Sequence, residues 1–392
     1  MSVTVHSLGC RLNISESEEL RGMLRGAGDL VVVNSCAVTS EAVRQTRRAI
    51  RRARRANPDA RLLVTGCAAE VERDMLATMP EVDGLVPNGA KLDPRAWNVP
   101  AAPPVARAGK RYTRAFVQVQ NGCDHACTFC VIPQGRGPSL SRAVPDVLAD
   151  IARHADAGIR EIVLTGVDLT SWGGDLENAP RLGKLVGAIL KAFPALERLR
   201  LSSIDGAEID RELFDILGFE PRLMPHLHLS LQSGDDMVLK RMKRRHSRAD
   251  AVELVARLRA ARPGIAIGAD IIAGFPTEDE TMHANNLSII RELGIVHGHV
   301  FPYSPRPGTP AARMPQVDPA TIKARARKLR EAVASERAKW LEYNVGQSLR
   351  VLAEADGTGH AEDFAPVLCP PGTQPGAIVT ITPERIVEGM LA

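Results

Sequence analysis

The chain has 392 residues with a formal net charge of +4, and 44% of its residues are hydrophobic. This length and composition suit two or three globular domains and exclude overall disorder, whereas the net charge is too small to establish a nucleic-acid partner. The seven cysteines, the lack of a secretory leader and the lack of a bilayer-spanning apolar run predict a cytoplasmic protein with reduced thiols and no membrane association.

Residues 1–98 alternate short apolar runs with helical patterns, which predicts a Rossmann-like α/β domain with a small parallel sheet. The candidate strands are Val3–Ser7, Leu30–Asn34 and Arg61–Thr65, and each is followed by a cysteine, namely Cys10, Cys36 and Cys67. Because the carboxyl ends of parallel strands share one edge, we expect these thiols to converge and to bind a metal cluster. The alternative is that free cysteines are often buried as small hydrophobes.

A Pro- and Ala-rich stretch, Val99–Ala106, predicts a linker before a second domain at 109–343. Six strand candidates separated by helical patterns predict an open (β/α)6 barrel, which is a partial TIM barrel with one open side. These candidates are Phe116–Gln120, Glu161–Thr165, Arg198–Ser202, His226–Leu231, Ile265–Ile272 and His299–Tyr303. The Ala- and Arg-rich segment Ala320–Tyr343 predicts a helix that closes this domain.

Three further cysteines, Cys123, Cys127 and Cys130, lie on the loop after the first barrel strand. Their spacing supplies three of the four thiolates that a 4Fe-4S cluster takes, so one iron would lack a protein ligand. An iron with a free position can chelate a small molecule and pass it an electron, which indicates a redox enzyme. Zinc is the alternative, with His125 as a further ligand, although this spacing is unlike that of usual structural zinc sites.

The tail, 344–392, consists of short alternating stretches split by Gly and Pro, which predicts a small all-β barrel. Residues 341–392 contain two basic and seven acidic side chains, a balance that is unfavourable for phosphate binding. Two arginine-rich runs, Arg44–Arg55 and Lys240–Arg248, are candidates for contact with a nucleic-acid backbone, and we favour the second because it follows the fourth barrel strand. The buried stripe predicted for the first run consists of Val43, Thr46, Ile50 and Ala53.

Over essentially its whole length the chain resembles the radical S-adenosylmethionine methylthiotransferases. The resemblance rests on the motifs Gly9–Asn13, Asn34–Thr39, Thr65–Cys67, Gly122–Cys130, Leu229–Gly234, Asp270–Pro276 and Phe301–Thr309. Within the family, Gly9–Asn13 and Leu201–Asp205 are most similar to the branch that modifies N6-threonylcarbamoyladenosine at position 37 of tRNA. The tail resembles a short version of the family's terminal RNA-binding barrel, the TRAM domain.

The resemblance implies two 4Fe-4S clusters with separate tasks. Cys123, Cys127 and Cys130 would hold the cluster that cleaves S-adenosyl-L-methionine to a 5'-deoxyadenosyl radical, and Cys10, Cys36 and Cys67 would hold an auxiliary cluster that carries a methylated sulfur. A second S-adenosylmethionine would supply the methyl group, and a methylthio group would replace the hydrogen on carbon 2 of the adenine. The implied partners are ANN-decoding tRNA and a reducing electron donor, with no obligate protein partner.

Six further residues are candidates for binding S-adenosylmethionine. Phe129 could pack against its adenine, and Thr165 and Gly166 would let the backbone approach its methionine end. Ser230, Gln232 and Asp270 have side chains able to bind ribose or amino groups. The alternative for each residue is a structural role, as a cover of the cluster, a strand-end turn or a cap.

Two alternative functions remain open. The same chemistry on a side chain of a ribosomal protein is compatible with the acidic tail, which could attract a basic protein. A noncatalytic, metal-stabilised RNA-binding module would hold zinc rather than iron and would not cleave S-adenosylmethionine.

Overall fold

The computed structural model of the chain describes residues 3–99 and 113–392. The predicted linker therefore lies, apart from Val99, outside the described residues, as does the predicted start of the second domain near Gly109. Within the two described ranges, no helix combines the length and the apolar character that crossing a bilayer requires.

The N-terminal part folds into a four-stranded parallel sheet whose spatial order follows the sequence. Its elements in chain order are β1 Val3–Ser7, α1 Arg11–Met23, β2 Leu30–Ser35, α2 Ser40–Ala56, β3 Arg61–Gly66, α3 Cys67–Val71, α4 Arg73–Ala77 and β4 Gly84–Leu85. Every residue of β2 is buried, because separate apolar clusters cover the two faces of the sheet. The three strands predicted here are confirmed to within one residue.

The central part is an open barrel of parallel strands with helices outside. Its strands and the short hairpin β6–β7 are β5 Ala115–Gln118, β6 Gln120–Asn121, β7 Leu140–Ser141, β8 Glu161–Thr165, β9 Arg198–Leu201, β10 His226–Gln232, β11 Ala266–Ala273 and β12 Ile295–Pro302. Its helices are α5 Ile132–Arg136, α6 Val144–Asp156, α7 Leu182–Ala192, α8 Arg211–Phe219, α9 Asp236–Met242, α10 Arg248–Ala261, α11 Glu280–Glu292 and α12 Pro319–Asn344.

The six predicted barrel strands are confirmed and form two parallel sheets, β5-β8-β9 and β10-β11-β12. Isolated bridges from Leu199 to Leu223 and from Ile204 to Leu229 join the sheets. Within 113–392 no pairing joins β5 to β12, so the barrel has one open side, as predicted. The last strand begins at Ile295, four residues before the predicted start, and the predicted closing helix is confirmed as α12.

The tail contributes a six-stranded sheet. Its strands are β13 Leu349–Ala353, β14 Thr358–His360, β15 Pro366–Leu368, β16 Ile378–Ile381, β17 Ile386–Val387 and β18 Met390–Leu391, in the spatial order β16-β13-β14-β15-β18-β17. The predicted all-β character is confirmed. Each strand pairs only with its neighbours in this order, and within 113–392 no pairing joins the two edge strands β16 and β17 to close a barrel. The likeness to a TRAM domain therefore stays a prediction.

Candidate active site

The first cysteine triplet lies at one edge of the N-terminal sheet. Cys10 is the N-cap of α1, Cys36 follows the last residue of β2, and Cys67 opens α3 directly after β3. The last residues of β1 and β3 are paired with the last two residues of β2 in the parallel register. The three cysteine positions therefore converge at the same edge of the sheet, as predicted. Cys36 and Cys67 are buried, whereas Cys10 is exposed.

The three thiols are close enough to affect one another. Burial, with smaller contributions from Cys10 and Cys67, raises the pKa of Cys36 to about 11. A β-carbon at Gly9 would lie 2.8 Å from Sγ of Cys36, and the φ of Gly9 is +90°. Only glycine therefore fits the turn that places Cys10 beside Cys36. Protonated thiols of this kind lose their protons when a metal binds them.

Asn13 fixes the two loops that carry Cys10 and Cys36. Its Nδ2 donates to the carbonyl oxygen of Leu8 at 2.6 Å and to that of Ser35 at 3.0 Å. Asn13 is buried, so these bonds form in a medium where an unpaired amide would be costly. The asparagine of the Gly9–Asn13 motif thus has a structural task at the edge of the sheet.

A buried ion network extends from Asn13 to the barrel. Oδ1 of Asn13 accepts a hydrogen bond from Nη2 of Arg136 at 2.5 Å. Arg136 also pairs with Glu16 at 2.9 Å, and Glu16 pairs with Lys91 at 2.5 Å. Burial opposes the charge of Arg136, but Glu16 raises its pKa above the ordinary value. Because Arg136 ends α5, this network ties the N-terminal sheet to the barrel.

The second cysteine triplet lies on the loop between β6 and α5. The loop turns at Gly122, whose φ is +71° and where a β-carbon would lie 1.8 Å from the carbonyl oxygen of Pro138. The N–H of Cys123 then donates to the carbonyl oxygen of Gly137 at 3.1 Å. A close backbone approach therefore fixes the start of the loop.

Each sulfur of the second triplet receives one N–H group. The backbone N–H two residues further on approaches Sγ of Cys123 and that of Cys130, each at 3.4 Å. Nη1 of Arg244 approaches Sγ of Cys127 at 3.7 Å. Hydrogen bonds to cysteine sulfur stabilise thiolates and help to set the potential of iron–sulfur clusters. Three thiols with three N–H donors thus fit an iron–sulfur cluster.

His125 is directed at carboxylates. Its Nε2 lies 2.5 Å from Oδ2 of Asp168 and 3.8 Å from Oε2 of Glu208. Hydrogen bonds to Asp168 and to Glu208 raise the pKa of His125 to about 10. Ligand atoms of Cys123, His125 and Asp168 lie within 4.8 Å of one another. The geometry alone is therefore compatible with the zinc alternative in which His125 is a ligand.

The two triplets face each other across the short helices α3 and α5. A β-carbon at Gly135 would lie 3.2 Å from Cβ of Cys67. Burial raises the pKa of Cys130 to about 11, and Cys67 is among the thiols that add to this shift. The two predicted cluster sites are therefore neighbours.

A cavity of about 190 Å³ is lined by residues that follow Cys36 and by Phe129, which lies between Cys127 and Cys130, although no cysteine lines it. It is smaller than the roughly 300–1,000 Å³ typical of clefts that enclose a whole ligand, so it suits part of a ligand, such as a base. It contains three of the six predicted cofactor residues, Phe129, Gln232 and Asp270. Its other lining residues are Val38, Thr39, Ile272, Phe301, Pro302, Tyr303 and Ser304. A larger cavity of about 800 Å³ lies between α7 and α8 and contains no predicted site residue.

The other three predicted cofactor residues are not among the lining residues of this cavity. Thr165 is buried at the end of β8, and its carbonyl oxygen accepts a hydrogen bond from the N–H of Val119 at 2.9 Å. A β-carbon at Gly166 would lie 2.9 Å from Oε1 of Gln120, so a close contact accounts for this glycine. Oγ of Ser230 shares a hydrogen bond with Oγ of Ser203 at 3.0 Å. Binding of the cofactor by these three residues stays a prediction.

Asp270 lies between two histidines on neighbouring strands. Its Oδ1 is 3.0 Å from Nε2 of His228 and 3.1 Å from Nδ1 of His299. Burial opposes the ionisation of Asp270, but the two histidines hold its pKa well below the usual range. Asp270 is therefore an ionised carboxylate at the cavity, able to accept a hydrogen bond from an amino group.

The arginine run on α2 has the predicted amphipathic arrangement. Its buried residues are Val43, Thr46, Ile50 and Ala53, as predicted. Arg48, Arg52 and Arg55 are exposed, and they form no ion pair with any residue that the structure describes. Their spacing of four and three residues places them on one face of the helix.

The second arginine run is largely occupied inside the protein. Arg244 pairs with Asp205 at 2.9 Å, Arg245 pairs with Glu208 at 2.5 Å, and Arg248 pairs with Glu292. An arginine held by a carboxylate is less available to a phosphate. Lys240 and Lys243 of this run are exposed and form no ion pair within 113–392, so contact of either run with RNA stays a prediction.

The sequence did not identify Arg136 and Arg244 as site residues. Arg244 belongs to a basic run, so its contact with Cys127 was masked by the more general expectation of RNA binding. Arg136 is 120 residues from its partner Glu16, and no local pattern connects the two. Only the motif position of Asn13 gave a signal for this network.

Models of protein families match two parts of the chain. The model of the radical SAM superfamily matches residues 117–286, and the model described as uncharacterized protein family UPF0004 matches residues 2–87. The first contains Cys123, Cys127 and Cys130, and the second contains Cys10, Cys36 and Cys67.

Curated relatives and solved structures extend these matches. The chain is 44% identical over 377 residues to the threonylcarbamoyladenosine tRNA methylthiotransferase MtaB of Rickettsia prowazekii (strain Madrid E), covering 92% of this chain and 90% of that protein. It is 34% identical over 392 residues to the tRNA-2-methylthio-N(6)-dimethylallyladenosine synthase of Erythrobacter litoralis (strain HTCC2594), covering 90% and 86%. The radical S-adenosylmethionine methyltransferase TsrM from Kitasatospora setae, solved with cobalamin and a 4Fe-4S cluster, has a similar fold, with a TM-score of 0.54 and 17% identity over 72% of this chain and 66% of that one.

Proposed function

Since this chain belongs to the radical S-adenosylmethionine methylthiotransferases that act on tRNA, we propose that it replaces the hydrogen on carbon 2 of N6-threonylcarbamoyladenosine 37 with a methylthio group. The observation that supports the proposal is the close approach of the two cysteine triplets, since Gly135, five residues after Cys130, packs against Cys67. The choice of this nucleoside over dimethylallyladenosine is supported by the 44% identity to the Rickettsia prowazekii relative, since other relatives named for either nucleoside are 34% identical.

We propose that Cys123, Cys127 and Cys130 hold one 4Fe-4S cluster, and that Cys10, Cys36 and Cys67 hold a second. Two S-adenosylmethionine molecules would be used for each product. When bound, these groups supply the one-electron chemistry and the methylated sulfur. The remaining tasks, which are to position the reactants and to exclude water, belong to the residues of the chain.

Three features of the site suit those tasks. The N–H donors at the second triplet, including Arg244, stabilise negative charge on the sulfurs. The ring of Phe129 packs edge-on against Phe275 with centroids 6.3 Å apart, which gives the cavity an apolar wall. The ionised carboxylate of Asp270 offers an acceptor to an amino group of the cofactor or of the base.

A ribosomal protein as substrate is the weaker candidate. The acidic balance of the tail supports it, but part of that acidity is used internally, because Glu354 pairs with Arg114, and Glu362 pairs with Arg350 at 3.2 Å. We therefore favour tRNA, with ANN-decoding tRNAs as the substrates, a reducing electron donor, and the cytoplasm as the location. A zinc-stabilised module without catalysis is disfavoured by the match to the radical SAM superfamily and by the 44% identity to a methylthiotransferase.

The test is a modification assay under anaerobic conditions. The protein, reconstituted with iron and sulfide, is incubated with reductant, S-adenosylmethionine and either tRNA carrying threonylcarbamoyladenosine or ribosomal protein. Mass analysis should find a methylthio group on the nucleoside and none on the protein. A gain on the protein alone would refute the assignment to tRNA.

A variant separates the two triplets in the same assay. Cys10→Ala, Cys36→Ala and Cys67→Ala combined should remove about half of the bound iron, abolish methylthiolation and leave the cleavage of S-adenosylmethionine intact. Loss of all the iron, or cleavage that fails together with methylthiolation, would contradict the separate tasks of the triplets.

A further inference from the structure

Arg11 carries a positive charge that has no anionic partner in the protein. It is the first residue of α1, directly after Cys10, and is partly buried. Within 3–99 and 113–392 its guanidinium donates no hydrogen bond and forms no ion pair, and the remaining residues, 1–2 and 100–112, include no Asp or Glu. Its Cζ lies 5.7 Å from the centroid of the ring of Phe364.

The carboxylates nearest to Arg11 are already engaged. Asp270 is held by two histidines. Glu161 is paired with Arg114 at 3.3 Å and with Arg200 at 3.0 Å. Burial lowers the pKa of Arg11, and so do Arg114 and Arg200, while Glu161 and Asp270 act in the opposite sense. An arginine stays charged under such conditions, so the site keeps a cation that the protein itself does not neutralise.

Arg11 and the cavity share a neighbour. Asp270 lines the cavity and also acts electrostatically on Arg11. Cζ of Arg11 lies over the ring of Phe364, which stacks on His226, the first residue of barrel strand β10. Arg11 does not itself line the cavity, so a ligand would reach its guanidinium by extending beyond Asp270.

Burying a cation without a counterion costs free energy. A ligand that brings the missing negative charge recovers part of that free energy when it binds. The threonylcarbamoyl group ends in a carboxylate, whose geometry matches the two-pronged donor of a guanidinium. The dimethylallyl group has no charge. We propose that Arg11 binds the carboxylate of the threonylcarbamoyl group and thereby selects the substrate, an inference that rests on the function proposed above.

The competing explanation is that Arg11 only packs on Phe364. A cation at this distance from a ring gains a modest attraction, and its loss would weaken the protein without regard to the substrate. The two explanations differ in one measurable quantity, which is the preference for a charged over a neutral N6 group.

The experiment uses anticodon stem-loop RNAs that differ at one nucleoside. They carry threonylcarbamoyladenosine, its neutral methyl ester, dimethylallyladenosine or adenosine, and their dissociation constants are measured by fluorescence anisotropy on the reconstituted protein. The wild type should bind the acid on the order of tenfold more tightly than the ester. Equal binding of acid and ester by the wild type would overturn the proposal without any variant.

Arg11→Gln should weaken binding of the acid by roughly 10- to 100-fold and binding of the ester by less than about threefold. Arg25→Gln, at an exposed position just beyond α1, should leave both constants unchanged. Equal losses for acid and ester in Arg11→Gln would indicate a packing role and overturn the proposal. Iron content and thermal unfolding show whether the variant is intact, and if it is not, Arg11→Lys should keep part of the preference.

The assays also separate this inference from the proposed function. If the wild type methylthiolates only the dimethylallyladenosine RNA, both are wrong. If it methylthiolates the threonylcarbamoyladenosine RNA but Arg11→Gln keeps the preference for the acid, only the role of Arg11 is wrong.

Discussion

Single residues determine whether the cysteine loops can take their observed paths. Gly122 and Gly137 both have positive φ values, +71° and +77°. A β-carbon at Gly122 would lie 1.8 Å from a carbonyl oxygen, whereas one at Gly137 would meet nothing within 4 Å. The two positions therefore share the backbone cost of replacing glycine and differ in the steric clash.

Gly137→Ala should cost about 1–3 kcal/mol of stability, because φ +77° with ψ -164° is a conformation that alanine avoids. Gly122→Ala should cost about 3 kcal/mol or more and should also lower the iron bound by the second triplet, because the loop must move. Thermal unfolding and iron analysis of the two variants provide the measurement. Equal effects at the two positions would mean that the close approach at Gly122 is not important.

The cysteines were predictable from sequence because their signals are local. Cys123, Cys127 and Cys130 follow one another on one loop, and the other triplet follows strands whose pattern was clear. Arg136 and Arg11 were not predictable, since their significance depends on distant neighbours. Arg136 meets Glu16 across 120 residues, and Arg11 is notable for a partner that it lacks.

At the scale of elements, helix α2 illustrates what a pattern can and cannot predict. Its buried stripe was predicted correctly, because apolar spacing reports the face that packs. The sequence could not predict which arginines of α2 lack an ion pair, because some of them pair with residues outside the helix. Arg54, for example, pairs with Asp83 at 2.6 Å. Strand β12 began earlier than predicted because His297 and His299 interrupt its apolar run.

The exposed face of α2 should contribute to tRNA binding. Arg48→Gln, Arg52→Gln and Arg55→Gln combined should weaken binding of tRNA and reduce the slope of log K against log salt by about 2–3, since each phosphate contact contributes about 0.7–0.9. The measurement is a salt titration of tRNA affinity.

A matched control removes three positive charges elsewhere. Lys184→Gln, Lys191→Gln and Arg211→Gln on α7 and α8, where the side chains are exposed, should leave the slope nearly unchanged. If both triple variants changed the slope equally, the effect would be one of net charge and not of the α2 face.

At the scale of the whole molecule, a buried carboxylate links the barrel to the tail. Glu161 on β8 pairs with Arg114, Arg198 and Arg200. Arg198 donates to the carbonyl oxygen of Arg350 at 2.6 Å, and Arg200 donates to that of Ala361 at 2.8 Å. Burial opposes the ionisation of Glu161, but the arginines hold its pKa below the usual value. One carboxylate thus orients the arginines that dock the tail.

Glu161→Gln should destabilise the protein by about 3–5 kcal/mol, because it leaves buried arginines without their counterion. Glu197→Gln removes a half-exposed carboxylate that pairs with Arg160 and Arg350 and should cost less than about 1 kcal/mol. Thermal unfolding measures the difference, and limited proteolysis should release the tail sooner in Glu161→Gln. Similar melting of the two variants would show that the buried network does not hold the tail.

The cavity beside the cysteines takes its walls from separate stretches of the chain. Val38 and Thr39 come from the loop between β2 and α2, and Phe129 and Asp270 come from the barrel. Both modules therefore supply walls of the cavity. A chimera that exchanged the first hundred residues with those of a homologue would alter one wall and keep the other.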